Sequence, residues 1–133
     1  MNECVFCKIA GGEISSYKIY EDKDFLAFLD IRPLNPGHTL VIPKKHYRWV
    51  WDVPNIGRYY EVVQKIVKAV KEELKTEYVV SMVFGEEISH AHVWIVPRFK
   101  DDGHGGAISL INVKQISKEE MEDIANRLKK IIG

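Results

Sequence analysis

The chain has 133 residues, 46% of them hydrophobic and 29% charged, enough to bury a core and ordinary for one globular domain, expected over residues 1–133. Lysine plus arginine (19) balance aspartate plus glutamate (19), which excludes an overall basic footprint for nucleic acid or an anionic membrane. No apolar run approaches the roughly 18 to 20 residues of a membrane span, and no basic-then-apolar leader opens the chain, so a cytoplasmic setting with reduced thiols is expected.

Cys4-Val5-Phe6-Cys7-Lys8-Ile9-Ala10 begins the chain, with Val5, Phe6 and Ile9 spaced for a short helical turn that Gly11-Gly12 ends. A redox CxxC follows a strand and opens a long helix, whereas only three residues precede this one. A metal pair is the better reading, although two thiolates supply half of a zinc site. Tyr17–Glu21 and Phe25–Asp30 read as strands joined by the polar turn Asp22-Lys23-Asp24. The prolines and glycine of Ile31-Arg32-Pro33-Leu34-Asn35-Pro36-Gly37 force a loop, and a third strand, His38–Pro43, leads into Lys44-Lys45-His46.

Asp52-Val53-Pro54 is expected to open a long helix to Lys75, with apolar residues at 56, 59, 63, 66, 67, 70 and 74 on one face. Tyr78–Phe84 is a fourth strand, turned by Gly85-Glu86-Glu87 into an antiparallel fifth. The glycine-rich 101–106 segment is expected to be a flexible loop that leaves His104 exposed. Ser117-Lys118-Glu119-Glu120 is a capping box for an amphipathic C-terminal helix to Ile132.

The fifth strand carries the chemistry. In Ser89-His90-Ala91-His92-Val93-Trp94-Ile95-Val96-Pro97-Arg98, alternation sends His90, His92 and Trp94 to one face and Ala91, Val93 and Ile95 to the core. Two imidazoles on one face can hold a metal, attack phosphorus or carry a proton. A zinc site would join Cys4 and Cys7 to two of His38, His46, His90 and His92, and spacing alone does not choose among them. A histidine of the pair left outside the metal would be free to act as a nucleophile.

His90-Ala91-His92-Val93-Trp94-Ile95-Val96-Pro97-Arg98 resembles the motif of the histidine triad (HIT) family, and the likeness extends through Cys4–Ile9, Tyr20–Asp22, Phe25–Ile31 and Pro36–His46. The resemblance implies an α+β, HIT-like fold, with a five-stranded antiparallel sheet, one long helix and a C-terminal helix. It also implies a homodimer that binds a small nucleotide. Nucleoside monophosphate groups would be hydrolysed or transferred through a nucleotidylated His92. By the same resemblance a structural zinc is held by Cys4, Cys7, His46 and His90, Asp30 takes the ribose hydroxyls, and Val5, Phe6, Ile9, Phe28 and Ile31 form the base pocket. Ser89 and Trp94 stand at the phosphate.

Two departures from the family pattern bear on activity. Trp94 replaces the third histidine, and an indole N–H donates a hydrogen bond but carries no proton at neutral pH. Losing proton donation costs about 10²- to 10⁴-fold; the uridylyltransferase branch of the superfamily carries glutamine here. Second, the segment before the motif is cut to Gly85-Glu86-Glu87-Ile88-Ser89, where two carboxylates would repel a phosphate they faced. Lys44, Lys45, Arg98 and the segment around His104 are the candidate compensations. A binding module with a degenerate triad is the alternative to an enzyme.

Overall fold

The computed structural model describes residues 3–133, so the first two residues of the expected 1–133 domain lie outside it. In chain order the elements are α1 (Val5–Ala10), β1 (Tyr17–Glu21), β2 (Phe25–Leu29), β3 (Thr39–Pro43), a single 3₁₀ turn (Val50–Asp52), α2 (Ile56–Leu74), β4 (Val79–Val83), β5 (Val93–Pro97) and α3 (Lys118–Ile132). The five strands form one sheet in the order β1-β2-β3-β5-β4, and every neighbouring pair is antiparallel. The expected α+β class and strand count hold. The β4–β5 hairpin docks with β5 inward, so the strand that follows the histidines is central.

The sheet has two different faces, and the period of two along β2 and β3 explains both. Phe25, Ala27, Leu29 and Val41 join Tyr59, Val62, Ile66 and Val70 of α2 and Met121, Ile124 and Leu128 of α3 in the main core. The intervening Leu26, Phe28, Leu40 and Ile42 face away from those helices and form a second cluster with Phe6 of α1, and Trp94 packs against that cluster. Both strands are therefore buried at every position. The second face is the one that carries the site.

Two boundaries differ from the sequence reading. Asn55, rather than Asp52, caps α2, its side chain accepting the Arg58 N–H at 3.3 Å. Asp52 instead accepts the Trp49 N–H at 3.2 Å and closes the 3₁₀ turn, because Pro54 and the extended Val53 separate that turn from the helix. The β5 ladder begins at Val93. Ahead of it, the Ala91 N–H donates to Tyr47 O at 2.7 Å, so His90 to His92 are held by the chain that follows His46. The expected alternation survives, since Ala91, Val93 and Ile95 all enter the main core.

The expectation for the 101–106 loop is overturned. Asp102 binds Arg98 through two oxygens (2.8 and 3.2 Å) and accepts from Asn35 Nδ2 at 2.9 Å. His104 is buried, with Nε2 2.7 Å from Leu34 O and Nδ1 accepting the Ser109 N–H. A carboxylate with several donors orders a loop whose composition alone implies freedom.

Gly37, in the turn before β3, has φ +89°, and a Cβ there would overlap the Leu74 side chain and lie 3.2 Å from Pro97. Gly37→Ala should lower stability by about 2 to 4 kcal/mol in chemical denaturation. Gly12, at φ +84° with open space around it, is the control: Gly12→Ala should cost only about 1 kcal/mol. Equal losses would show that packing against Leu74 is unimportant.

Candidate functional site

The short helix α1 starts with its cysteines folded together: Cys4 Sγ accepts the Cys7 N–H at 3.3 Å. His90 Nδ1 lies 3.3 Å from both Cys4 Sγ and Cys7 Sγ, and His46 Nδ1 lies 3.3 Å from Cys7 Sγ. The four ligand atoms fall within 4.8 Å of one another. Tetrahedral zinc, with bonds of about 2.3 Å to sulfur and about 2.0 Å to nitrogen, places such atoms roughly 3.5 Å apart. The Cys₂His₂ donor set and its spacing thus fit zinc.

One hydrogen bond prepares His90 for that role. Its Nε2 donates to Pro43 O at 2.8 Å, since a carbonyl only accepts, which leaves the Nδ1 lone pair turned to the sulfurs. Burial also holds its pKa below the ordinary value, so the neutral, ligating form is favoured. Of the four histidines open in the sequence, His46 and His90 join the cysteines. His38 and His92 do not.

His92 is 5% exposed, with Nδ1 2.7 Å from His90 O. The same logic puts the proton on Nδ1 and leaves Nε2 with a lone pair, the state a nucleophile needs. Burial lowers its pKa, opposed by the nearby Asp30 charge. The Phe6 ring meets it edge-on at 5.2 Å and meets Phe28 in the same way at 5.7 Å.

The remaining candidates separate by exposure. Val5 and Ile31 are 38% and 77% exposed, Ile9 packs against the second-face cluster, and Phe28 is buried within it. Asp30 follows β2 directly. Its Oδ1 accepts the Arg32 N–H at 2.8 Å, and burial raises its pKa against that bond. Ser89 is exposed. Trp94 pairs with Leu40 and Met82 across the sheet and packs on His38 (4.8 Å) and Phe84 (5.1 Å).

Most of the candidate phosphate cations are engaged elsewhere. Lys44 binds Glu21 at 2.6 Å. Arg98 binds Asp102 and Gly105 O, and His104 turns to Leu34 O. Lys45 lies over Tyr47 at 5.8 Å. Sequence reasoning also left His38 as a mere zinc alternative. It is instead 1% exposed beside Asp30, its Nε2 3.5 Å from Asp30 Oδ2; its place directly after the Pro36-Gly37 turn was the available signal.

A five-stranded antiparallel sheet with a His-x-His segment beside a Cys₂His₂ cluster defines the histidine triad class of fold. Residues 11–101 match the HIT domain. A HIT-like protein of Methanocaldococcus jannaschii is 38% identical over 125 residues, 87% of this chain and 97% of that protein. The adenosine 5′-monophosphoramidase of Saccharomyces cerevisiae is 36% identical over 107 residues, 77% of this chain and 66% of that enzyme. The crystal structure of a zinc-bound histidine triad family protein from Mycobacterium smegmatis superimposes with a TM-score of 0.81 and 31% identity, covering 98% of this chain and 93% of that one. The chain belongs to the HIT family.

Two outcomes follow from this geometry. Purified protein should carry one zinc per chain by elemental analysis, and Cys7→Ala should lose it; a metal-free, equally stable wild type would refute the zinc site. Burial pushes the His38 pKa from 6.5 down to about 4. A histidine held neutral stabilises the fold fully above the unfolded-state pKa and progressively less as pH falls toward the folded-state pKa. The stability advantage of wild type over His38→Asn should therefore shrink by about 2 kcal/mol between pH 7.5 and 5 in urea titrations. A constant difference would mean that His38 is not held neutral.

Proposed function

We propose that this chain is a nucleotidyl hydrolase or transferase whose nucleophile is His92. The observation that carries the reading is the His92 Nδ1 to His90 O hydrogen bond, which leaves Nε2 unprotonated without assistance from a separate base. Nε2 attacks the α-phosphorus of a bound nucleotide, an Nε2–P bond forms, and the bond from phosphorus to the leaving group breaks. The leaving group departs with its bonding pair and takes a proton from solvent. Water or another acceptor then attacks the same phosphorus, loses its proton to solvent and frees His92. The His90 carbonyl dipole favours the positive charge that the substituted imidazole carries in between.

Asp30 accepts the ribose hydroxyls in this reading, and Val5, Phe6, Ile9, Phe28 and Ile31 receive the base, with Phe6 offering an aromatic surface that does not read base edges. Ser89 offers its hydroxyl and backbone N–H to phosphate, and Trp94 its indole N–H. Zinc on Cys4, Cys7, His46 and His90 would be structural: a full protein ligand set leaves no open position, and the metal's contribution is to anchor the segment that carries His92. The S. cerevisiae relative is named for monophosphoramidase activity, which supports a nucleoside monophosphate as the transferred unit.

The chain acts as one domain in the cytoplasm, as a homodimer. The edge position of β4 in the sheet supports pairing through that strand. The balanced charge argues against nucleic acid as a partner, and among the described residues no helix is long and apolar enough to cross a membrane. A second reading, a binding module without turnover, is favoured by Trp94, whose ring fills the third motif position against His38 and Phe84.

Incubation with an adenosine phosphoramidate distinguishes the two. Release of AMP, or an AMP-sized adduct on the protein, is expected for wild type. His92→Asn should reduce turnover by about 10³-fold or more while leaving the fold intact. AMP binding with no release or adduct, in folded and zinc-loaded protein, would favour the binding module.

A further inference from the structure

His38 sits at the closed end of the site, directly before β3, and is 1% exposed. Its Nδ1 accepts the Leu34 N–H at 3.0 Å, so that atom has no proton and the neutral ring carries its hydrogen on Nε2. Among the described residues Nε2 has no hydrogen-bond partner although it is fully buried. The acceptor it faces is Asp30 Oδ2, at 3.5 Å, a few tenths of an ångström beyond a good hydrogen bond. Leaving a buried donor unmade is costly, so a small closure of this gap is favourable whenever the carboxylate is drawn into place.

A lone-pair count shows what that closure does. An ionised carboxylate has about four acceptor sites. The Arg32 N–H occupies one of them at Asp30, and His38 Nε2–H takes a second on the other oxygen. Two remain, which matches the two hydroxyls of a ribose 2′,3′-diol. The imidazole cannot turn over to present an acceptor instead, because its Nδ1 is committed to Leu34 and its ring is packed against Trp94 with centroids 4.8 Å apart.

We infer that His38 is a positioning residue for sugar specificity: its Nε2–H orients the Asp30 carboxylate so that both remaining acceptor sites meet a cis-diol, and a 2′-deoxyribose leaves one of them unpaired. This rests on the nucleotide-binding reading above. Trp94, in this arrangement, holds the His38 ring in place.

The test uses zinc-loaded protein, calorimetry, and AMP and 2′-deoxy-AMP as probes. Wild type should prefer AMP by about 10- to 100-fold, as expected for a hydrogen bond to a charged acceptor. His38→Asn keeps an acceptor near Leu34 but cannot reach Asp30, and the preference should fall about tenfold. His38→Gln carries its amide donor at the distance of Nε2 and should retain most of the preference. An unchanged ratio in His38→Asn would overturn the assignment while leaving nucleotide binding intact, and so would a wild type that binds both probes equally. Failure of wild type to bind AMP would instead overturn the nucleotide reading and this assignment with it. Imidazole nitrogen NMR on wild type gives a measurement independent of any variant's folding. The His38 Nε2–H proton should move downfield with AMP and less with 2′-deoxy-AMP, and identical shifts would refute the proposal.

Discussion

The hydrogen bond from His90 Nε2–H to Pro43 O, 2.8 Å long, is the contact on which the rest of the site depends. It ties the end of β3 to the segment before β5 and turns the Nδ1 lone pair toward Cys4 and Cys7. The carbonyl of the same residue then accepts the His92 Nδ1–H. Two backbone carbonyls thus assign two tautomers, each leaving the other ring nitrogen with its lone pair. Neither assignment needs a charged partner, which suits a buried place where a lone charge would be expensive.

That contact is possible because the sheet is covered differently on its two faces. The helices α2 and α3 close one face with the main core, leaving α1 as a small lid element at the other. A six-residue helix contributes little stability of its own. What α1 supplies is position: Cys4 and Cys7 at its start reach the histidines, and Phe6 reaches His92. A zinc ion joining Cys4, Cys7, His46 and His90 would crosslink α1 to two separate stretches of the sheet scaffold.

Trp94 changes the character of the motif end of the site. An imidazole there would offer a proton; the indole offers bulk and one donor. It packs between His38 and Phe84, so the third motif position becomes part of the wall that encloses His38 and, through it, Asp30. Two of the cations nominated for phosphate are engaged within the fold: Arg98 orders the loop at Asp102, and Lys44 meets Glu21.

The sequence by itself determined the strand and helix inventory, the two-faced alternation of His90, His92 and Trp94, and, through its family resemblance, the grouping of Cys4, Cys7, His46 and His90. These are legible because periodicity and fixed motif spacing are local properties, and because the HIT pattern runs through most of the chain. Tertiary structure alone decided the rest. Composition marked residues 101–106 as free, yet Asp102 finds its donors on Asn35, Arg98 and the loop backbone, and Asn35 is distant in sequence. His38 looked like one zinc alternative among four; Leu34 meets it within the preceding loop, but Asp30 and Trp94 reach it only when β2, β3 and β5 are laid side by side. A histidine's role is set by what each ring nitrogen faces, and those partners come from elements that only the folded sheet brings within hydrogen-bonding distance.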